Sequence, residues 1–475
     1  MNTRDGFVTE HKKDVISRVG AYLMTYLPAE RAERIKLVLL TLSFFFIIGA
    51  YTIAKELKDA MFDAIVGKDY IPYAKTITMF LLVPSIFIYS QLVDSLRKYQ
   101  LLMVYTFAFG IIGLLFAVLL GNPTIGLPNT DASPYRIFGW LFYFFVEGYS
   151  PFVVSVFWAF ANSVNSPENA KQNYAFIVSG SKIGGMTTAA FAYWLLSCSD
   201  AGSFWAFSDT MRHQLLFGAA SVCLLVVPLV LWLLVRSVSA AALHGYEAGY
   251  QVERQRKKKG EESTGVLSGL SMLIKYPYAF GIFCVVLFYE VIQTIVNFQR
   301  IGIAKEGAAK VSEVSAALFQ PIFFIHMIGL LISLFGTTML LRRLGEKRCL
   351  LLVPFSIAAL YLFFRITGTK QAFWIFLVGM RGIHYAFSYP VRESLYIPTV
   401  KEIKFKSKSW IDAFGAKFAK ASGSLFNLIE PASYLVAQSV LFGGIMGVWI
   451  VAAYLLGTRF EKAVARNEVI GADQD

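Results

Sequence analysis

The 475-residue chain has little charge: Asp, Glu, Lys and Arg make up 16% of it, while hydrophobic residues reach 56%. Soluble domains carry about 25% charged residues, so a water-soluble globular protein is excluded. Histidine is scarce, with five in all, and the four cysteines (Cys198, Cys223, Cys284 and Cys349) show no CxxC or Cys/His spacing. They read as small apolar fillers rather than metal ligands or disulfide partners. No GxxxxGK[ST], HExxH or nucleophile-elbow motif occurs, and no resident cofactor or metal is expected. The N-terminus lacks the short apolar core and small-residue cleavage site of a secretory signal, which predicts that it is retained. Residues 11–27 read either as an amphipathic helix on a membrane surface or as a solvated tail.

What is abundant is long apolar sequence. Runs of roughly 18 or more residues apolar enough to span a hydrocarbon core give about twelve candidate spans. They fall at 37–54, 73–92, 100–120, 137–161, 174–197 and 214–235, then at 277–298, 314–341, 349–366, 372–390, 418–440 and 442–457. The fold class is therefore all-α integral membrane, multi-pass, with the lipid bilayer as its first partner. The net charge of +13 is not a nucleic-acid signature, because its placement follows the membrane. With both tails in the cytoplasm, about 28 Lys and Arg fall in tails and cytoplasmic loops and about 9 in external loops, as the positive-inside rule requires.

The strongest basic cluster, ERQRKKKGEES, lies in a polar link between the sixth and seventh spans. This divides the chain into a cytoplasmic tail (1–36), a six-helix bundle (37–236), a basic cytoplasmic linker (237–276), a second six-helix bundle (277–458) and a second tail (459–475). Two bundles around a linker suit a carrier whose site lies near the bilayer midplane and opens alternately to each side. GSKIGG, at 180–185, resembles a phosphate loop only superficially; Gly180 and Gly184, four apart in an apolar span, read as a close helix-packing face.

The informative residues are charges inside apolar segments: Lys58, Glu147, Lys182, Glu290, Arg381, Lys417 and Lys420. Each costs roughly 2.5–3.5 kcal/mol at a helix centre, so such residues must face the interior, paired with each other or with a bound ion. Bland readings stand beside the functional ones: Lys58 as a snorkelling lysine, Glu147 in a structural Glu–Lys pair, Arg381 in an inter-helix salt bridge. Pro151 lacks the N–H that would bond the Glu147 carbonyl, which predicts a kink there. Lys417 and Lys420 share a helical face beside Gly415, Gly423, Ser422 and Ser424. Cations outnumber carboxylates in the spans, so the interior suits a multiply charged anion.

Three stretches carry a resemblance. ELKDAMF followed by IPYAK, then VEGYSPFVVSVFWAFANSVNSPENAKQNYAFI, then RESLYIPTVKEIKFKSKSWIDAFGAKFAKASGSLFNL occur in order across both halves. Together they resemble the nucleotide transporters of intracellular bacteria and plastids, the ATP/ADP translocase type. The resemblance implies a fold like the major facilitator superfamily, a nucleotide substrate such as ATP or ADP, no catalysis, and residence in a bacterial inner membrane. It puts the family's functional lysines and glutamate on Lys58, Glu147 and Lys420, with Glu56 and Asp59 balancing charge or gating. The family's seventh-span glutamate falls on Asn297, and Arg300 stands where the family has a lysine; Glu290 lies about two turns earlier. The fifth-span Gly-Ala-Asn segment is here GSKIGG, with Lys182 as an extra cation. The expected substrate-binding set is thus Lys58, Glu147, Lys182, Lys420, Asn297 and Arg300, with Asp59, Glu290, Arg381 and Lys417 pairing charge or gating. Rival readings are a carrier of another organic or phosphorylated anion and a membrane-embedded receptor or enzyme.

Overall fold

The structure is a computed structural model that describes residues 30–165, 167–198, 207–238, 266–335, 337–385, 389–400, 403, 407–428 and 431–471. The first 29 residues, the predicted surface helix 11–27 among them, and most of the basic link, 239–265, lie outside the described residues. The chain is a succession of long helices. Those of the first half are α1 Arg31–Ile65, α2 Ile71–Ser95, α3 Lys98–Leu119, α4 Ile137–Val164, α5 Pro167–Ser197 and α6 Asp209–Ser237. A short α7, Val266–Lys275, leads into the second half: α8 Pro277–Lys305, α9 Val311–Phe335, α10 Thr337–Thr367, α11 Lys370–Ile383, α12 Tyr389–Leu395, α13 at 408–426 and α14 Pro431–Ala465. Eight of these are long and apolar enough, among the described residues, to cross a membrane. With α2, α5, the α11–α12 pair and α13, the chain makes about twelve traverses.

Several helix ends differ from the hydropathy reading. The first span continues eleven residues past Ala54, so the charged stretch YTIAKELKDAMFD is helix and not a loop. No breaker intervenes before Gly67, which ends the turn with φ +117°. Lys36, just before the expected first span, is buried in α1, donating to Glu33 at 2.7 Å and to the Val164 carbonyl at 3.0 Å. The expected spans 418–440 and 442–457 are also displaced. The chain breaks after Phe426, and Pro431, which cannot extend a preceding helix, opens a 35-residue helix through Gly443 and Gly444. α10 kinks at Gly345, where φ is +75°.

Gly180 and Gly184 of α5 pack closely on α1, and Gly185 packs equally closely on His326 of α9. A Cβ on Gly180 would collide with Thr41, and one on Gly184 with the backbone carbonyl of Phe45. GSKIGG is thus a packing face, as its spacing predicts. Two apolar cores result. One belongs to the second half alone. The other unites the first half with Phe298, Ile301 and Ala304 of α8 and Leu318, Phe319 and Ile322 of α9. These α8 positions lie at the end of the bundle remote from the described chain termini, so the halves are fused there.

Candidate functional site: a two-layer charge network between the halves

Glu56, Asp59 and Asp63 fall on one face of α1 at i, i+3 and i+7 and are 2–7% exposed. Glu56 and Asp63 find their cations on the second half, and Asp59 lies between Lys58 of the first half and Arg300 of the second. Glu56 accepts from Arg300 of α8 at 2.5 Å, and Arg381 of α11 approaches its other oxygen to 3.9 Å. Asp59 lies 3.9 Å from Arg300, and Asp63 pairs with Lys305 at 3.1 Å. Arg381 also donates to the Asn297 side-chain oxygen. Nearby, Asp209 accepts from the Ser312 backbone N–H at 2.9 Å, and His213 Nε2 lies 3.0 Å from Ser315 Oγ, joining α6 to α9. This layer seals the halves together at the end remote from the termini.

A second layer lies beside the first, on another flank of α1. Lys58, on the flank of α1, donates to Glu147 Oε1 at 2.6 Å, sits 3.1 Å from Asp59, and places its ammonium 4.0 Å from the Tyr143 ring centroid. The other oxygen of Glu147 accepts from Lys417 of α13 at 3.1 Å. One carboxylate thus holds a lysine from each half, ten residues into α4 and so about 15 Å from its start at 1.5 Å per residue. Lys420, one turn beyond Lys417, turns instead to Glu290 of α8 at 3.8 Å. A π-helical turn flanks each contribution: Ser150–Val154 follows Glu147, where Pro151 removes an N–H, and Ile411–Gly415 precedes Lys417.

Nine of the ten expected residues thus join one network: Lys58, Asp59, Glu147, Glu290, Asn297, Arg300, Arg381, Lys417 and Lys420. Lys182 does not join it. Its ammonium lies 4.3 Å from the Tyr385 ring centroid, and its stem packs on Gly329. Among the described residues no carboxylate lies within ion-pair distance of it. His384, on the same face as Arg381, stacks on Tyr289 with ring centroids 3.3 Å apart. Sequence reasoning missed Asp63, Lys305, Tyr143 and Lys75. Lys75, in the IPYAK stretch, lies within electrostatic reach of Asp59, Lys58 and Glu147; its signal was a lysine one turn into an apolar span.

A model of the TLC ATP/ADP transporter family matches residues 12–131 and 135–460. ADP,ATP carrier protein 1 of Chlamydia trachomatis is 24% identical, over 93% of this chain and 92% of its own length. ADP,ATP carrier protein 1 of Rickettsia prowazekii is 21% identical over 93% and 96%, and ADP,ATP carrier protein 2, chloroplastic, of Arabidopsis thaliana 24% over 91% and 76%. Among solved structures, the proton:xylose symporter XylE of the major facilitator superfamily superposes with a TM-score of 0.58 at 15% identity, covering 92% of this chain and 97% of that one. A bacterial homologue of the iron transporter ferroportin, in an inward-facing state, gives 0.57 at 13%, over 90% and 98%. At these identities the two structures speak to the fold alone, and it is that of the major facilitator superfamily.

Proposed function

Since the chain belongs to the TLC ATP/ADP transporter family, it is a multi-pass membrane carrier of nucleotides and not an enzyme, and we propose that it exchanges ATP and ADP by alternating access at the Glu147 bridge. One observation carries this reading: a single carboxylate at mid-depth holds Lys58 of the first half and Lys417 of the second. A polyphosphate leaves water only where fixed cations replace its hydration, and buried lysines are tolerable only with an anion to share their cost. Glu147 is that anion in the empty carrier. A bound phosphate chain takes its place, drawing Lys58, Lys417 and Lys420 onto one molecule and freeing Glu147 to turn aside. Because lysines from both halves grip the substrate, the halves can rock around it without letting go.

We further place both termini and the 237–276 link in the cytoplasm of a bacterial inner membrane, which makes the sealed layer the outer gate and this state inward-facing. Arg300 and Asn297, engaged with Glu56 and Arg381 here, would reach a phosphate only after that gate parts. Lys182 extends the positive field along the route.

Proteoliposomes test the proposal. Labelled ATP is expected to enter vesicles preloaded with ADP far faster than empty ones, and Lys58→Gln and Lys420→Gln are each expected to abolish that entry. Uptake indifferent to internal nucleotide would remove exchange from the proposal; full activity of both variants would remove the phosphate site.

A further inference from the structure

Beyond α14 the chain reverses and fastens to the connector between α12 and α13. Asn467 takes the left-handed conformation (φ 51°), and the Glu468 N–H closes the turn on the Ala463 carbonyl at 2.9 Å. The Arg459 guanidinium and the Glu468 carboxylate meet as a fork, with Nη1 3.1 Å from Oε2. Ile470 then pairs with Thr399 in a parallel β-bridge. Its N–H donates to the Pro398 carbonyl at 2.7 Å, and its carbonyl accepts from the Val400 N–H at 3.1 Å. The Ile470 side chain is 6% exposed and belongs to the core of the second half, with Tyr276 and Ile403. Among the described residues, the main-chain bonds that join this connector to a distant segment both go to Ile470.

The connector leads into the helix that carries Lys417 and Lys420, and that helix is contested between the halves. A π turn interrupts α13 before Lys417, and the helix stops at Phe426, so neither end is continuous with a long helix of its own half. Along its length it packs on α8 of the second half and on α2 of the first. Its Lys417 is held by Glu147 of the first half at 3.1 Å. When the halves rock, α13 has to travel with the second half, or Lys417 does not part from Glu147. The ion pair and the α2 contact pull the other way. The bridge at Ile470 opposes them, since it ties the base of α13 to the end of α14 and to Tyr276, the residue that caps α8.

We propose that Ile470 is a positioning residue for transport: by its bridge to Thr399 it binds the base of α13 to the second half, so that Lys417 is carried away from Glu147 in each cycle. The consequence for transport rests on the nucleotide-exchange reading, whereas the tie itself does not. Ile470 touches none of the lysines or carboxylates of the network, and these keep their pairs without it. Its loss therefore slows movement and spares binding.

Full-length variants test this. Ile470→Ser, which strips the buried apolar side chain, is expected to slow ATP/ADP exchange at least about fivefold with the half-saturating ATP concentration unchanged within about twofold. Ile470→Val is expected to exchange like the parent. Neighbouring strands lie about 4.8 Å apart, a separation that a disulfide spans, so Thr399→Cys combined with Ile470→Cys makes a tie that opens and closes. The reduced pair is expected to be as slow as Ile470→Ser, and oxidation to restore exchange to within about twofold of the parent, whose own rate the oxidant leaves unchanged. A folding defect would not give this reversible rescue. Parental exchange in Ile470→Ser, a fall in affinity that accounts for the slowing, or no rescue once the disulfide has formed would each overturn the proposal. Hydrogen exchange reads the tie without any nucleotide: backbone amides of residues 408–417 are expected to exchange faster in Ile470→Ser than in the parent. Equal protection there removes the tie, whatever the carrier transports. If the parent exchanges no nucleotide while those amides do lose protection, the exchange reading fails and the tie stands.

Discussion

The two layers of charge use the same chemistry under different solvation. Around Glu56 the side chains of the carboxylate, Arg300 and Arg381 are only 1–3% exposed. Around Glu147 the carboxylate keeps 21% of its exposure and Lys417 17%, with Lys58 at 5%, and Lys420, paired with Glu290, keeps 40%. A dry ion pair cannot exchange partners without leaving a bare charge in a medium of low dielectric, so it works as a lock. A pair reached by water can trade its partner for an arriving anion, so it works as a site. On the proposed reading, the exposure of the central carboxylate separates gate from binding site, Glu56 at 3% against Glu147 at 21%.

Breaking the dry layer is expected to give the largest effect. Glu56→Gln leaves Arg300 with only the more distant Asp59 and Arg381 with the neutral Asn297, and loss of one partner from a buried pair costs about 3–5 kcal/mol. Thermal unfolding in detergent is expected to show a clear destabilisation. An unchanged midpoint would mean that the seal does not depend on this carboxylate.

The wet layer responds in function first. Lys58→Gln leaves Glu147 with Lys417 and Asp59 with Arg300, so folding is expected to hold. Nucleotide affinity is expected to drop about 100-fold, or roughly 2.7 kcal/mol, within the range for truncating a buried charged partner. Equilibrium binding and a melting curve on the same preparation check both halves of this statement. Glu147→Gln sharpens the comparison further. It removes the stand-in anion, so exchange is expected to fall with expression intact.

A smaller effect is expected at the rim of the seal. The Lys305 side chain is 57% exposed, so its pair with Asp63 is screened. Lys305→Gln should cost at most about 1 kcal/mol, and melting at low and high salt is expected to shrink the difference. The smallest change is expected from Lys182→Gln. It deletes a cation with no carboxylate partner among the described residues, at the expense of a cation–π contact worth about 0.5–1 kcal/mol. Stability should stay within that amount, with nucleotide affinity falling only severalfold.

Much of this was legible in the sequence because a membrane makes charge conspicuous. Lys58, Glu147, Lys417 and Lys420 stood out by the cost of their place in apolar runs, and the network gathers all four. The pairing itself was not legible. Glu56 and Arg300 are 244 residues apart, and nothing local to either names the other. Asn297 illustrates the same limit, for its role depends on Arg381 arriving from another helix. Helix ends escaped for a different reason. Hydropathy averages over about twenty residues, so it passed smoothly over the break between Phe426 and Pro431 and placed one instead near two glycines that the helix accommodates. Lys182 lies apart from the network, its ammonium 4.3 Å from the Tyr385 ring centroid, a neighbour that its spacing in GSKIGG does not reveal.

The π turns at Ser150–Val154 and Ile411–Gly415 carry a mechanical consequence. Each stores one residue more than an α-helix of the same span needs, and one residue corresponds to about 100° of helical rotation. Slack of this kind can migrate along a helix by passing one hydrogen bond to the next, without unwinding it. One such reserve sits beside Glu147 and one beside Lys417, in opposite halves. On the proposed reading, each jaw of the grip then has a built-in swivel, by which the carboxylate and the lysine can turn away from each other while the helices that carry them keep their length.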